Sequence, residues 1–401
     1  MAERKPKKVV DHSSRKHAIL SASGASRWLN CTPSPKLEQQ FENKSSQYAD
    51  EGTLAHEFAE LNLKKQLKII DHKQHDELVF PFLGSLHYSE EMEEEVQKHI
   101  DYVIQQFTEA KRNTADALLL IEEKVDLTFV IENGFGTCDN IIISDGVLEV
   151  IDLKYGKGVR VSAKDNSQLK LYGLGALYAT ELMYAIHTVR LTVTQPRMDS
   201  ISSWEISSEE LKQWGEDTVK PKAEMATLGE GDQVAGDWCR FCRAKVRCKA
   251  LADQNLEIAK LEFADPKLLT DKQLIEVYKL SPQIQHWMNS ISEYLFDEAL
   301  KGKKWEEHKL VEGRSNRVWL SEDNVKIVLE QNEYDKNDYL STPKLLGIGA
   351  IEKLVGKNDF MTLLGPNIVK PQGKPTLVHE DDKRPEMGLN QAKLDFCDSI
   401  D

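Results

Sequence analysis

Apolar and polar residues change their spacing several times along the chain, and each change predicts an element. In "YADEGTLAHEFAELNLKKQL" (48–67) Leu54, Phe58 and Leu61 fall on one helical face. "SEEMEEEVQKHIDYVIQQFTEAKRN" (89–113) predicts a longer helix with Ser89 as its N-cap. "ALLLIEEKVDLTFV" (117–130) turns to β-forming residues. Residues 137–153 do the same on both sides of Ser144-Asp145-Gly146, a hairpin turn signal. The helical pattern returns over 163–183, strand alternation over 187–198, and a helix over 207–228 with a Ser207/Glu210 capping box. Together with a short helix in 21–34, ending near Cys31, the order predicts an α/β core of about 200 residues. Residues 232–248 close that core.

The flanks read differently. Residues 1–17 are a basic leader, expected to be flexible, without the apolar stretch of a secretory signal. Residues 18–255 are read as one domain and 256–401 as a C-terminal helical extension with an acidic tail. Within the extension, 271–304 is a long amphipathic segment, and the chain from Trp305 is less regular. "GKPTLVHEDDKRP" reads as a turn-rich segment with paired charges. No internal repeat is found.

Composition adds limits. The chain has 401 residues, 40% hydrophobic and 29% charged, in the ordinary range for a globular protein. No apolar run reaches the roughly 18 residues a membrane helix needs, so no membrane partner is expected. The expected location is the cytoplasm. A net charge of −14 argues against broad electrostatic coating of nucleic acid, but leaves room for an enzyme with a local basic groove.

The hairpin holds the candidate chemistry. With Asp145-Gly146 as its loop, Ser144 lies opposite Val147, and the same register sets Asp139 opposite Asp152. Asp152 and Lys154 are two apart and share a face. Opposed side chains have Cβ atoms roughly 4.5–5.5 Å apart, where two bare carboxylates repel. The neighbours on that face, Ile141, Ile143, Leu148 and Val150, argue against a solvated stripe. A divalent cation relieves the repulsion, and oxygen ligands suit Mg²⁺ or Mn²⁺.

In this setting Asp139 and Asp152-x-Lys154 resemble the signature of PD-(D/E)XK nucleases. Gln168 and Tyr172, one helical turn apart, resemble the Q-x-x-x-Y element of the RecB-like branch. "EGTLAHEFAE" resembles the helix that carries its metal-binding histidine, here His56. "IEEKVDL" matches the place of a further acidic residue, for which Glu123 is preferred to Glu122. The resemblance implies a restriction-endonuclease-like fold, a mixed central sheet flanked by helices. It further implies Mg²⁺ or Mn²⁺ on His56, Asp139 and Asp152, with Lys154 positioning the attacking water. Gln168 and Tyr172 would orient Lys154 or the DNA end. Lys157, Arg160 and Lys164, just after the motif, are candidates for tracking the DNA backbone.

Six cysteines are present, and Cys239, Cys242 and Cys248 crowd together as C-x₂-C-x₅-C. In a reducing compartment such crowding points to a metal rather than to disulfides. With the distant Cys31 the set resembles the iron–sulfur nucleases of the AddB and CRISPR-adaptation type. This implies a [4Fe–4S] cluster joining the N- and C-terminal parts of the core; the alternative is Zn²⁺. Cys138 and Cys397 fall outside the pattern, and Cys138 is expected to point into the core. "SRWLNC", "GDWCRFC" and "KPQGKPTLVHEDDKRPEM" further resemble a phage and prophage family of unknown function.

The implied activity is exonucleolytic cleavage of DNA single strands or ends in phage recombination or replication. The partners implied are a phage single-strand-binding or annealing protein, or a helicase; no G-x-x-x-x-G-K-[ST] phosphate loop is encoded here. Two alternatives stay open. One is a catalytically silent DNA-end-binding or scaffold protein of the same fold. The other is a zinc Cys₄ protein that binds nucleic acid without cutting it.

Overall fold

The computed structural model describes residues 19–43, 47–260, 270–313, 317–341, 344–371, 374–380, 382 and 384–387. The chain divides into two compact units, Met1–Gln283 and Ile284–Asp401. The expected boundary at 255/256 therefore moves to 283/284. It falls beside Pro282, whose ring removes a backbone donor inside the helix Asp271–Leu300.

Unit one begins with two short helices, α1 (Ala25–Asn30) and α2 (Ser34–Glu38). Three longer ones follow: α3 (Gln47–Gln66), α4 (His72–Leu83) and α5 (Glu90–Asn113). Next come β1 (Leu118–Asp126), β2 (Phe135–Ile143), β3 (Gly146–Leu153), α6 (Ser167–Thr180), β4 (Ile186–Gln195) and β5 (Ser200–Ser207). α7 (Ser208–Trp214) runs through a π-helical turn into α8 (Lys220–Leu228), and α9 (Lys249–Lys260) follows.

The five strands form one mixed sheet in the order β1-β2-β3-β4-β5, antiparallel except for the parallel pair β3–β4. The hairpin register is as the turn predicts: Ile143 faces Leu148, Ile141 faces Val150 and Asn140 faces Ile151. Gly146 takes φ 84°, the left-handed conformation that favours glycine.

Each sheet face has its own core. On one, Ile141, Ile143, Leu148 and Val150 pack with Leu169, Leu174 and Leu177 of α6 and with Trp28 of α1. On the other, Ile142, Ile151 and Leu153 pack with Phe58 of α3 and with Met92, Val96 and Ile100 of α5. Most of α6 is buried, which explains why its composition is apolar nearly all round.

β5 and α4 are among the elements that escaped the sequence reading. β5, "SISSWEIS", is an edge strand; its alternation is carried by weakly β-forming serines around Trp204 and Ile206. α4 contains Pro81, although an Asp71/Gln74 capping box does announce its start.

The second unit corrects the picture of an irregular tail. β6 (His308–Glu312), β7 (Val318–Trp319), α11 (Glu322–Gln331), α13 (Ile348–Val355) and α14 (Lys357–Leu364) are described there after the long helix α10 (Asp271–Leu300) and around α12 (Lys336–Tyr339). Val325, Leu329, Tyr339, Ile351, Phe360 and Leu364 make their own core. Pro375–His379, read from sequence as turn-rich, is a strand paired antiparallel with β6. The basic leader 1–17, the end of the acidic tail and Cys397 lie outside the described residues.

Candidate active site

β2 and β3 part company where the candidate site begins. Asp139 has no strand partner, and its Oδ2 accepts from the Leu153 backbone N–H at 2.7 Å. On its other side Oδ1 lies 3.2 Å from His56 Nδ1, which projects from α3. Glu122 of β1 stands at the matching gap in the β1–β2 ladder, with φ 51°. That backbone is strained for a residue with a Cβ. His56, Glu122 and Asp139 each offer a ligand atom within 4.8 Å of the others. They line a small, partly open cleft together with Glu60, His99 and Asn140.

Beside this trio lies a second polar group. Lys154 Nζ is 2.8 Å from Asp152 Oδ2 and donates to Gln168 Oε1 at 3.1 Å. Gln168 Nε2 donates to Asp152 Oδ1 at 3.3 Å and to the Tyr172 hydroxyl at 3.1 Å. Every amide atom of Gln168 is thereby matched to a partner of the right kind, which fixes its orientation. Asp152 is 1% exposed.

Burial and mutual charge set the protonation states. Burial works against the His56 cation, but the charge and hydrogen bond of Asp139 outweigh it and raise its pKa to about 9. Burial alone would raise Asp139; His56, Lys154 and the Leu153 N–H outweigh it and bring it to about 2. Glu122 is pushed up to about 7, first by burial and then by Asp139. Burial also raises Asp152, with Lys154 pulling the other way. For Lys154, burial favours the neutral amine, but Asp152 and Asp139 prevail and the pKa is raised. At neutral pH Lys154 is therefore a cation that donates hydrogen bonds, not a base.

The site accordingly gathers Asp139, Asp152, Lys154, Gln168, Tyr172 and His56. It does not gather Glu123, which pairs with Cys138 and is exposed. Glu122 takes that place, because it is Glu122 that stands opposite Asp139. Asp152, expected beside His56 as a ligand, is held by Lys154 and Gln168 next to the trio. Lys157, Arg160 and Lys164 are all exposed beyond β3, and Lys157 is paired with Glu91 of α5 at 2.6 Å.

A profile of the family described as a protein of unknown function, DUF2800, matches residues 17–385. The chain belongs to that family. A crystal structure of SSO0001 is also similar, at 14% identity over 55% of this chain and 95% of that one, with a TM-score of 0.21. A score that low carries no argument about fold or function.

Other parts of this DUF2800 chain support the site from behind. His99 of α5, fully enclosed, shares a hydrogen bond with Thr194 of β4 at 2.7 Å and one with Asn140 at 3.1 Å. Burial lowers its pKa to about 4, so it is neutral there. A polar triad at apolar helix and strand positions is a signal that the sequence reading passed over. Cys138 is buried as expected, and burial pushes its thiol well up.

The cysteine-bearing segment meets the N-terminal one. Thr32 donates to the Glu230 carbonyl at 2.5 Å, and the Arg243 N–H donates to Glu38 Oε1 at 2.8 Å. Burial raises the Cys31 thiol and Cys248 adds to it; burial raises Cys239, with Cys248 and Cys31 adding. Ionising one of Cys31, Cys239 and Cys248 would therefore disfavour ionising the others, although Cys31 lies roughly two hundred residues away along the chain. Burial likewise pushes Cys242 up to about 12, with Glu38 and Cys239 adding. Among the described residues, no helix is long and apolar enough to cross a membrane.

Proposed function

We propose that this chain is a metal-dependent deoxyribonuclease of the PD-(D/E)XK type, with a restriction-endonuclease-like core, acting on single strands or ends of DNA in the bacterial cytoplasm. The observation that carries the reading is the meeting of Asp139, Asp152, Lys154, Gln168 and Tyr172 with His56 and Glu122 among apolar strands. Elements α3, β1, β2, β3 and α6 each contribute, so no local pairing of neighbours accounts for it.

The donor set fits a hard divalent ion. Glu122, Asp139 and His56 supply two carboxylates and an imidazole, and would hold Mg²⁺ or Mn²⁺. Bound there, the ion supplies positive charge for the phosphate oxygens as negative charge builds up. Lys154 offers its remaining N–H bonds to a water or to a non-bridging phosphate oxygen. Asp152 and Gln168 hold that ammonium in place, and Tyr172 holds Gln168.

We further propose that Cys31, Cys239, Cys242 and Cys248 hold a [4Fe–4S] cluster, with Zn²⁺ as the alternative. Cysteines on two distant segments that meet, with Cys31, Cys239 and Cys242 buried, suit a soft metal centre.

The test is cleavage of end-labelled single- and double-stranded DNA with Mg²⁺, Mn²⁺ or a chelator. Asp152→Ala and Lys154→Ala should each lower the rate by at least about 100-fold, the scale of losing a charge-stabilising group. Cleavage that survives both substitutions would sink the assignment. A folded wild-type protein that binds DNA but never cuts it would instead favour the silent scaffold.

A further inference from the structure

After β3 ends at Leu153 the chain continues Lys154-Tyr155-Gly156-Lys157-Gly158. Tyr155 is 3% exposed, and the Arg197 guanidinium lies over its ring, 4.6 Å from the centroid. Arg197 Nη1 donates to Glu51 Oε1 of α3 at 2.9 Å. Its Nε is 3.7 Å from Glu91 Oε1 of α5, too far for a hydrogen bond, and is buried without a hydrogen-bond partner. The same Glu91 oxygen accepts from Lys157 Nζ at 2.6 Å. One carboxylate oxygen thus faces two cations, and Lys157 is three residues from Lys154, at most about 10 Å along the chain.

The glycines on either side of Lys157 have no structural reason to be glycine here. A Cβ on Gly156 or Gly158 would meet nothing within 4 Å, and neither has a left-handed φ. Glycine in such a place suits close approach of a ligand to the backbone. An arginine fork with a buried, unsatisfied N–H points the same way, since such groups normally find an oxygen.

We propose that Lys157, Arg197 and the Gly156–Gly158 backbone form a subsite for a phosphate neighbouring the one attacked, and that Glu51 and Glu91 occupy it as stand-in anions in the free protein. The inference rests on the nuclease reading and extends it to how a strand is held. A phosphodiester carries one negative charge, as a carboxylate does, so it can stand where the Glu91 carboxylate faces both cations. The Lys157–Glu91 pair is about half exposed on both sides, the kind of ion pair that breaks at little cost. In a chain of net charge −14, such masking disfavours loose contact with polyanions while leaving a site that a correctly placed strand can open.

The experiment measures binding of fluorescent oligothymidylate to the full-length Asp152→Ala protein, by anisotropy across a salt series. Adding Glu91→Gln or Glu51→Gln should tighten binding roughly threefold, because a carboxylate no longer competes for Lys157 or Arg197. Adding Lys157→Ala or Arg197→Ala should weaken it and flatten the slope of log K against log salt by about 0.7 each. Gly156→Ala should keep the parent's melting temperature and yet bind about tenfold more weakly. If both glutamate variants bind like the parent or more weakly, or if Gly156→Ala binds like the parent, the inference is overturned. Wild-type cleavage separates the two readings: cutting without these effects removes the subsite alone, whereas no cutting and no binding remove both.

Discussion

At the scale of single residues, the proposed metal site sets protons against metal. His56 ordinarily titrates near 6.5, and Asp139 lifts it to about 9. A raised pKa in the folded state contributes stability that is full below about pH 6.5 and lost as pH rises through about 9. Asp139, lowered from 3.8 to about 2, contributes stability above about pH 4 that is lost as pH falls toward 2. The metal-free protein therefore gains most from this pair between about pH 4 and 6.5. Metal needs the opposite state of His56, since a ligating imidazole must give up its proton. Below pH 9 binding should release a proton from His56, and below about pH 7 a second from Glu122. Mn²⁺ affinity should rise about tenfold per pH unit from pH 7 to 9, and more steeply below 7. Calorimetry in buffers of different ionisation enthalpy counts the protons. A pH-independent affinity would show that His56 is not a ligand.

At the scale of elements, caps and short turns were legible and long connections were not. Ser89 caps α5 by accepting from the Met92 N–H, and Ser207 with Glu210 closes both halves of the capping box before α7. These signals involve only residues within a turn of each other, so sequence alone carries them. Ser89→Ala should cost about 1 kcal/mol in denaturant unfolding and leave catalytic constants unchanged. A loss well below that would mean that packing of Met92 and Val96, not the cap, fixes the start of α5. The β2–β3 register was legible for the same reason, because a two-residue loop sets it. The β1–β2 register was not: Leu127–Gly134 is a longer connection that fixes no phase, which is why Glu123 was preferred to Glu122. The sequence also hid the ladder gap that lets Asp139 turn to His56 while its carboxylate takes the Leu153 N–H. Replacing Glu122 separates its two properties. Glu122→Gly should raise the melting temperature by relieving the positive φ, and Glu122→Ala should not, while both weaken Mn²⁺ binding.

At the scale of the whole molecule, the first unit draws its two ends together. Cys31 ends α1 near the start of the fold, and Cys239, Cys242 and Cys248 follow α8, so any centre on all four closes a loop around the entire sheet. Loop-closure entropy grows only slowly with length, but for a loop this long it is already large, and a link stabilises by removing it from the unfolded chain. Hydrogen bonds also tie the segments, Thr32 to Glu230 and Glu38 to Arg243. The protein should therefore fold without the centre and be less stable, rather than fail outright. Cys31→Ser should lower bound iron and the melting temperature together, by an amount that chelation of the wild type reproduces. Cys138→Ala, at a fully buried cysteine on the central sheet, should lower stability as a core truncation does while leaving iron content unchanged. Zinc in place of iron in the wild type, with the same dependence on Cys31, would keep the staple and change its metal. Equal iron content in Cys31→Ser would show that the two segments are joined by packing alone.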